Sequence, residues 1–151
     1  MYKATIRWMV RRNIRQLNEG NYGPALGMFA DDAVLAFPGN NSWSNQIRPT
    51  VRGREQFATH RGRAEIEAFL RRYTEAGIQM VVDDILINGG PWRTRMAIRV
   101  RDWVEGPDGK DVYNNRAVLF AEAVWGRIRA QEDYEDTERA AAFDAVLAGS
   151  T

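Results

Sequence analysis

The sequence predicts an α+β fold: a strongly curved antiparallel sheet wrapped around N-terminal helices, with a C-terminal helix and a conical pocket between the layers. Three observations carry this reading. Ile6, Val10, Ile14 and Leu17 recur at helical spacing near the start of the chain. From Ile78 to Tyr134 the pattern changes to long alternating runs separated by Gly- and Pro-rich turns. At 151 residues and 44% hydrophobic, with no repeat, linker or low-complexity tract, the chain suits one domain with one core.

The elements follow in order. Helix one is predicted over 2–19, and Gly20 suits a left-handed stop. Helix two is predicted over 22–29, with Pro24 in the first turn, where its missing N–H is harmless. A short strand over 33–37 ends at Pro38-Gly39. The segment 40–61 is long, polar and irregular, and reads as a flap over the pocket mouth carrying Trp43. Helix three is predicted over 63–76, with Ile66, Phe69, Leu70 and Tyr73 on one face and Gly77 as its stop. Strands are predicted over 78–88, 94–104, 112–124 and 128–134, joined by Gly89-Gly90-Pro91, Gly106-Pro107-Asp108-Gly109 and Gly126. Strands this long must bend around a helix, which predicts bulges. A last helix starts near Asp136-Thr137 and presents Phe143, Val146 and Leu147.

Composition narrows the function classes. There is no cysteine, so disulfides and thiolate metal sites are excluded, and a cytoplasmic setting is expected. No apolar run approaches a membrane span, and MYKATIRWMVRR has no signal-peptide core. A net charge of +1 exerts no general pull on nucleic acid. Arg7, Arg11 and Arg15 form one stripe of helix one, read as a solvated face. Arginine far outnumbers lysine, which suggests a GC-rich, bacterial source. One histidine without cysteine makes no usual zinc site, Gly89-Gly90 lacks the strand–turn–helix setting of a dinucleotide motif, and no cofactor is expected.

Strand alternation selects the candidate site. Met96, Ile98, Val100, Asp102 and Val104 share one face, so Asp102 is a carboxylate at the end of an apolar row. Tyr113, Asn115, Ala117, Leu119, Ala121, Ala123 and Trp125 form the inward set of the next strand, and Tyr113 and Asn115 bring polar tips to the pocket. The last strand ends in QEDYEDT, whose parity is open: either Glu132 and Tyr134 face inward, or a bulge substitutes Gln131 and Asp133. A carboxyl in an apolar pocket is desolvated and can hold a proton near neutral pH. Asp102 and Asp133 are therefore the candidates for proton transfer. Trp43, His60, Tyr113, Asn115, Glu132 and Tyr134 are the candidates for ligand contact. Asp136 is read as the cap of the last helix. Val118 and Phe120 point away from the pocket, and their apolar face predicts a homodimer through the outer side of the sheet.

The stretch LNEGNYGPALGMFADDAVLAFPG, with the helix and strands after it, resembles the nuclear-transport-factor-2-like (NTF2-like) superfamily. That group includes ketosteroid isomerases, limonene-epoxide hydrolases and SnoaL-like polyketide cyclases. The resemblance implies a cofactor-independent enzyme acting on a hydrophobic, oxygen-bearing small molecule through a pocket carboxylate. The alternative is a non-catalytic ligand-binding or dimeric interaction module of the same fold. Asp102 resembles the first acid of the epoxide-hydrolase pair, and the Asp-Tyr within EDYED resembles the last-strand acid and its neighbour. The arginine that links such a pair is Val100 here, and the isomerase acid before Pro38 is Phe37. His60-Arg61-Gly62 resembles the entry to the third helix of the cyclases.

Overall fold

The computed structural model of the protein describes residues 1–38 and 57–149. Its elements are α1 (Tyr2–Asn18), α2 (Gly23–Leu26), β1 (Phe29–Pro38), β2 (Phe57–Arg61) and α3 (Gly62–Glu75), followed by β3 (Gln79–Gly90), β4 (Arg93–Glu105), β5 (Asp111–Val124), β6 (Arg127–Glu135) and α4 (Thr137–Gly149). The strands form one six-stranded sheet in the order β2-β1-β6-β5-β4-β3. β1 and β6 run parallel, and the other neighbours are antiparallel. No hairpin links β1 to β6, so nothing in the connectivity forces them antiparallel.

Two boundaries differ from the sequence reading for the same reason. The chain is extended from Phe29, where a longer second helix was expected, because Phe29 already pairs with Ile128 of β6. Residues 57–61, expected as loop, form an edge strand whose partner is β1 from Val34 to Pro38. In both places sheet pairing supplies backbone hydrogen bonds that local sequence does not advertise. The rest of the expected flap, with Trp43, lies outside the described residues.

Helix stops are as expected. Gly20 and Gly77 follow α1 and α3 at φ +82° and +73°, a region that favours glycine. The Asp136 carboxylate accepts from the backbone N–H groups of Glu138 and Arg139, at 3.1 and 3.3 Å, and so caps α4.

The core sits between the helices and the inner face of the sheet. α1 contributes Ile6, Val10 and Leu17, and α3 contributes Ile66, Phe69, Leu70 and Tyr73. These pack on Leu35, Ile85, Met96, Ile98 and Val100, and each such burial stabilises the fold by about 1.5–3 kcal/mol. The curvature that this demands is taken up at bulges. Val82 pairs with Val100 and Asp84 with Arg99, so Asp83 is an extra residue in β3. Likewise Glu122 pairs with Ala130 and Ala123 with Ile128, so Arg129 is extra in β6. Trp125, placed inward by simple alternation, instead occupies the β5–β6 turn at φ 50° and is exposed. No described helix is long and apolar enough to cross a membrane.

Candidate functional site

The Arg129 bulge decides what the last strand shows to the interior. Ile128 is buried before it, and unbroken alternation would then have turned Ala130, Glu132 and Tyr134 inward. The extra residue shifts the phase, and Gln131 and Asp133 reach the interior instead.

They line a cavity of about 110 Å³ enclosed by α1, α3 and the sheet. Its walls are mainly apolar, including Val10, Phe69, Met96, Ile98 and Leu119, and the polar side chains on it are Asn13, Tyr73, Gln131 and Asp133. Asp133 is 8% exposed. Its Oδ1 accepts a hydrogen bond from Gln131 Nε2 at 2.8 Å. Burial pushes its carboxyl up to about 7; the Gln131 bond opposes this, and the nearby Asp102 charge adds to it.

Asp102 closes the row Met96, Ile98, Val100 on β4, as expected, and is 5% exposed. Its register partners are Met80 on β3 and Asn115 on β5. The Tyr113 hydroxyl donates to its Oδ2 at 3.4 Å. Its Oδ1 is buried and has no hydrogen-bond partner among the described residues. Burial raises this carboxyl to about 6, and the Tyr113 bond tempers the rise. Asp102 opens towards a separate polar cleft of about 940 Å³, together with Arg101, Asn115, Arg116 and Arg139.

The two acids are thus electrostatically coupled but line different cavities. Tyr73 on α3 feels both: burial raises its hydroxyl pKa well above normal, and the charges of Asp102 and Asp133 add to the effect. Tyr73 also lines the mainly apolar cavity.

Tyr113 and Asn115 are buried on the inner face of β5, as the alternation predicts. Asn115 Nδ2 donates to the Tyr113 hydroxyl oxygen at 3.2 Å and to the Asp136 carbonyl at 3.0 Å. The Tyr113 ring stacks on Phe143 of α4, with centroids 4.5 Å apart. Burial raises the Tyr113 pKa, and the Asp102 charge raises it further.

Three expected ligand contacts are placed elsewhere. His60 belongs to β2 and is buried in an aromatic cluster, 5.8 Å from Phe37 and 5.4 Å from Phe69 between ring centroids. Tyr134 is exposed on the outer face, where its hydroxyl bonds to Glu132, so that pair turns away from the cavity. The cause is again the Arg129 bulge.

Three cavity residues were not expected as site residues. Gln131 depended on the same parity. Asn13 occupies the inward stripe between Val10 and Leu17, and a buried amide within an otherwise apolar stripe was the available signal. Tyr73 was read as core, which its ring is, whereas its hydroxyl is what the site adds. Among the described residues, no group of three or more His, Asp or Glu side chains is placed to hold a metal ion.

Comparison with solved structures assigns the architecture. The chain is similar to Bal32a from a soil-derived mobile gene cassette, with 22% identity over 91% of this chain and 94% of that one, at a TM-score of 0.63. An NTF2-like protein of Burkholderia pseudomallei aligns over 87% and 91% of the two chains at 20% identity and a TM-score of 0.59. This is an NTF2-like fold. SalBIII, an epoxide hydrolase/cyclase-like enzyme of pyran ring formation in polyether salinomycin, shares it at 14% identity and a TM-score of 0.61, over 91% of this chain and 95% of that one. No family model matches the chain, and no curated protein matches it in sequence. At these identities the likeness establishes the NTF2-like fold, and the chemistry has to come from the site itself.

Proposed function

We propose that this protein is a cofactor-independent enzyme that binds a hydrophobic, oxygen-bearing small molecule in the conical pocket and moves a proton with Asp133, supported by Asp102. The observation that carries this reading is the buried Asp133 carboxyl on a mainly apolar wall, where burial pushes it up to about 7. Near neutral pH such a group is partly protonated, so it can donate to a ligand oxygen and withdraw a proton from carbon or water. Gln131 occupies Oδ1, which leaves Oδ2 as the oxygen for the ligand. A cavity of about 110 Å³ is somewhat smaller than a ~150 Å³ site that takes up benzene, so the part enclosed is about one small ring. Isomerisation, ring closure or opening, and hydration fit this machinery. Epoxide hydrolase/cyclase-like chemistry in pyran ring formation, the role of SalBIII, lies within that set.

The test is turnover of a panel of small cyclic epoxides and enones by wild type and Asp133→Asn. Loss of general acid/base help should lower the rate by about 10²–10⁴-fold. If none of the panel turns over, and binding of its members is equal in both proteins, the acid/base reading fails.

A second reading, a non-catalytic ligand-binding or dimeric interaction module, is favoured by the size of the cavity and by the outer face of the sheet. The cavity falls below the ~300–1,000 Å³ of usual small-molecule sites. Outside, Leu86, Val118 and Phe120 are exposed by 65%, 37% and 40%. We infer that this face meets a second copy of the chain in either case.

A further inference from the structure

We propose that Asn115 is a positioning residue that commits the Tyr113 hydroxyl proton to Asp102 Oδ2, so that Oδ1 is the oxygen on which Asp102 carries its own proton. This deepens the acid/base reading of the site and rests on it.

The orientation of the Asn115 amide is fixed from both ends. Its Oδ1 accepts the Arg116 backbone N–H at 2.8 Å, and its Nδ2 donates to the Asp136 carbonyl at 3.0 Å. An amide turned the other way would set donor against donor and acceptor against acceptor. The remaining Nδ2 proton therefore points at the Tyr113 oxygen, 3.2 Å away. With that oxygen already accepting, the tyrosine's single proton goes to its other polar neighbour, Asp102 Oδ2, at 3.4 Å. An acid proton on Oδ2 would weaken that oxygen as the acceptor of the tyrosine's hydrogen bond. It is consequently carried on Oδ1, the buried atom with no partner among the described residues. The chain runs one way, Asn115 to Tyr113 to Asp102, and Phe143 holds the middle ring from the side.

Other charged and titratable groups surround this line. Tyr73 of α3 feels Asp102, and Asp133 of β6 is coupled to it. Glu135 acts on Tyr113, and Arg101, Arg116 and Arg139 line the adjoining cleft. A through-space field from these groups would act with or without the tyrosine hydroxyl. A relay through the hydroxyl would not, and that difference makes the proposal testable.

The experiment is a carbon-13 carboxyl NMR titration of Asp102 in wild type, Asn115→Leu, Tyr113→Phe and the double variant. Wild type should titrate near 6. Removing the Tyr113 donor should raise the midpoint by about one pH unit, the worth of a modest hydrogen bond to a charged group. Asn115→Leu should raise it in the wild-type background and leave it unchanged in the Tyr113→Phe background. Equal shifts in both backgrounds, or no shift in the first, would overturn the relay. A wild-type midpoint near 4 would instead sink the acid/base reading of Asp102. If Asn115→Leu does not fold, Asn115→Asp takes its place. It keeps the Arg116 contact, and its shift in the Tyr113→Phe background isolates the added charge. The relay then requires a larger shift with Tyr113 present than without it, and equal shifts would contradict it.

Discussion

Burial raises the Asp133 carboxyl, and that has a consequence for stability. Its folded value of about 7 lies above the roughly 3.9 of an unfolded aspartate. Between those values the folded chain keeps a proton that the unfolded chain has released, so stability falls as pH rises through the window. Asp102, at about 6, adds a fall of the same sign. Urea midpoints should therefore drop from pH 4 to pH 8. Asp133→Asn should remove much of the drop and leave the variant more stable than wild type at pH 8, by on the order of a few kcal/mol. Parallel pH profiles for the two proteins would mean that Asp133 is solvated. Which acid faced inward could be reduced in the sequence to two options and no further. QEDYEDT is polar at every position, so it carries no apolar stripe to set its phase, and the phase depends on one extra residue at Arg129. Asp102 was easier to place, because Met96, Ile98 and Val100 mark its face.

At the scale of elements, α4 is the cover of the Asp102 end of the site. Phe143 is buried and stacked on Tyr113, and Asp136 both caps the helix and receives Asn115. Phe143→Ala should cost about 3–5 kcal/mol in urea unfolding. Admitting water to Tyr113 and Asp102 should also move the Asp102 midpoint down from 6 towards 4. An unchanged midpoint would separate the helix from the site. Helices α1 and α3, the long strands and their turns were legible, because apolar periodicity and glycine stops are local signals. Edge strand β2 was not. Five residues ending in Thr59, His60 and Arg61 have little strand character alone, and pairing with β1 creates the strand. That pairing also carries His60 inward between Phe37 and Phe69, where the isolated sequence suggested a polar loop residue.

At the scale of the whole molecule, the sheet has one face committed to the core and one with exposed apolar side chains. Leu86 and Phe120 stand on the outer face with Val118, and both line one shallow surface depression. A homodimer through this face should appear as twice the chain mass in sedimentation, and Phe120→Lys should convert it to monomer while preserving the folded circular-dichroism spectrum. A wild-type monomer at micromolar concentration would contradict the dimer and leave the pocket chemistry untouched. The curved sheet itself follows from strand length, since bulges at Asp83 and Arg129 let long strands wrap the helices. The bulge at Arg129 also decides which carboxyl of β6 becomes an acid of the interior.

Whether Asp133 acts as an acid and base in this cavity is decided by a carbon-13 carboxyl titration of Asp133, made with and without a small cyclic ketone that fits the cavity. The expected result is a midpoint near 7 in the free protein, moved by the ketone. A midpoint near 4, indifferent to the ketone, would show a solvated carboxylate and contradict the acid/base function proposed for this cavity.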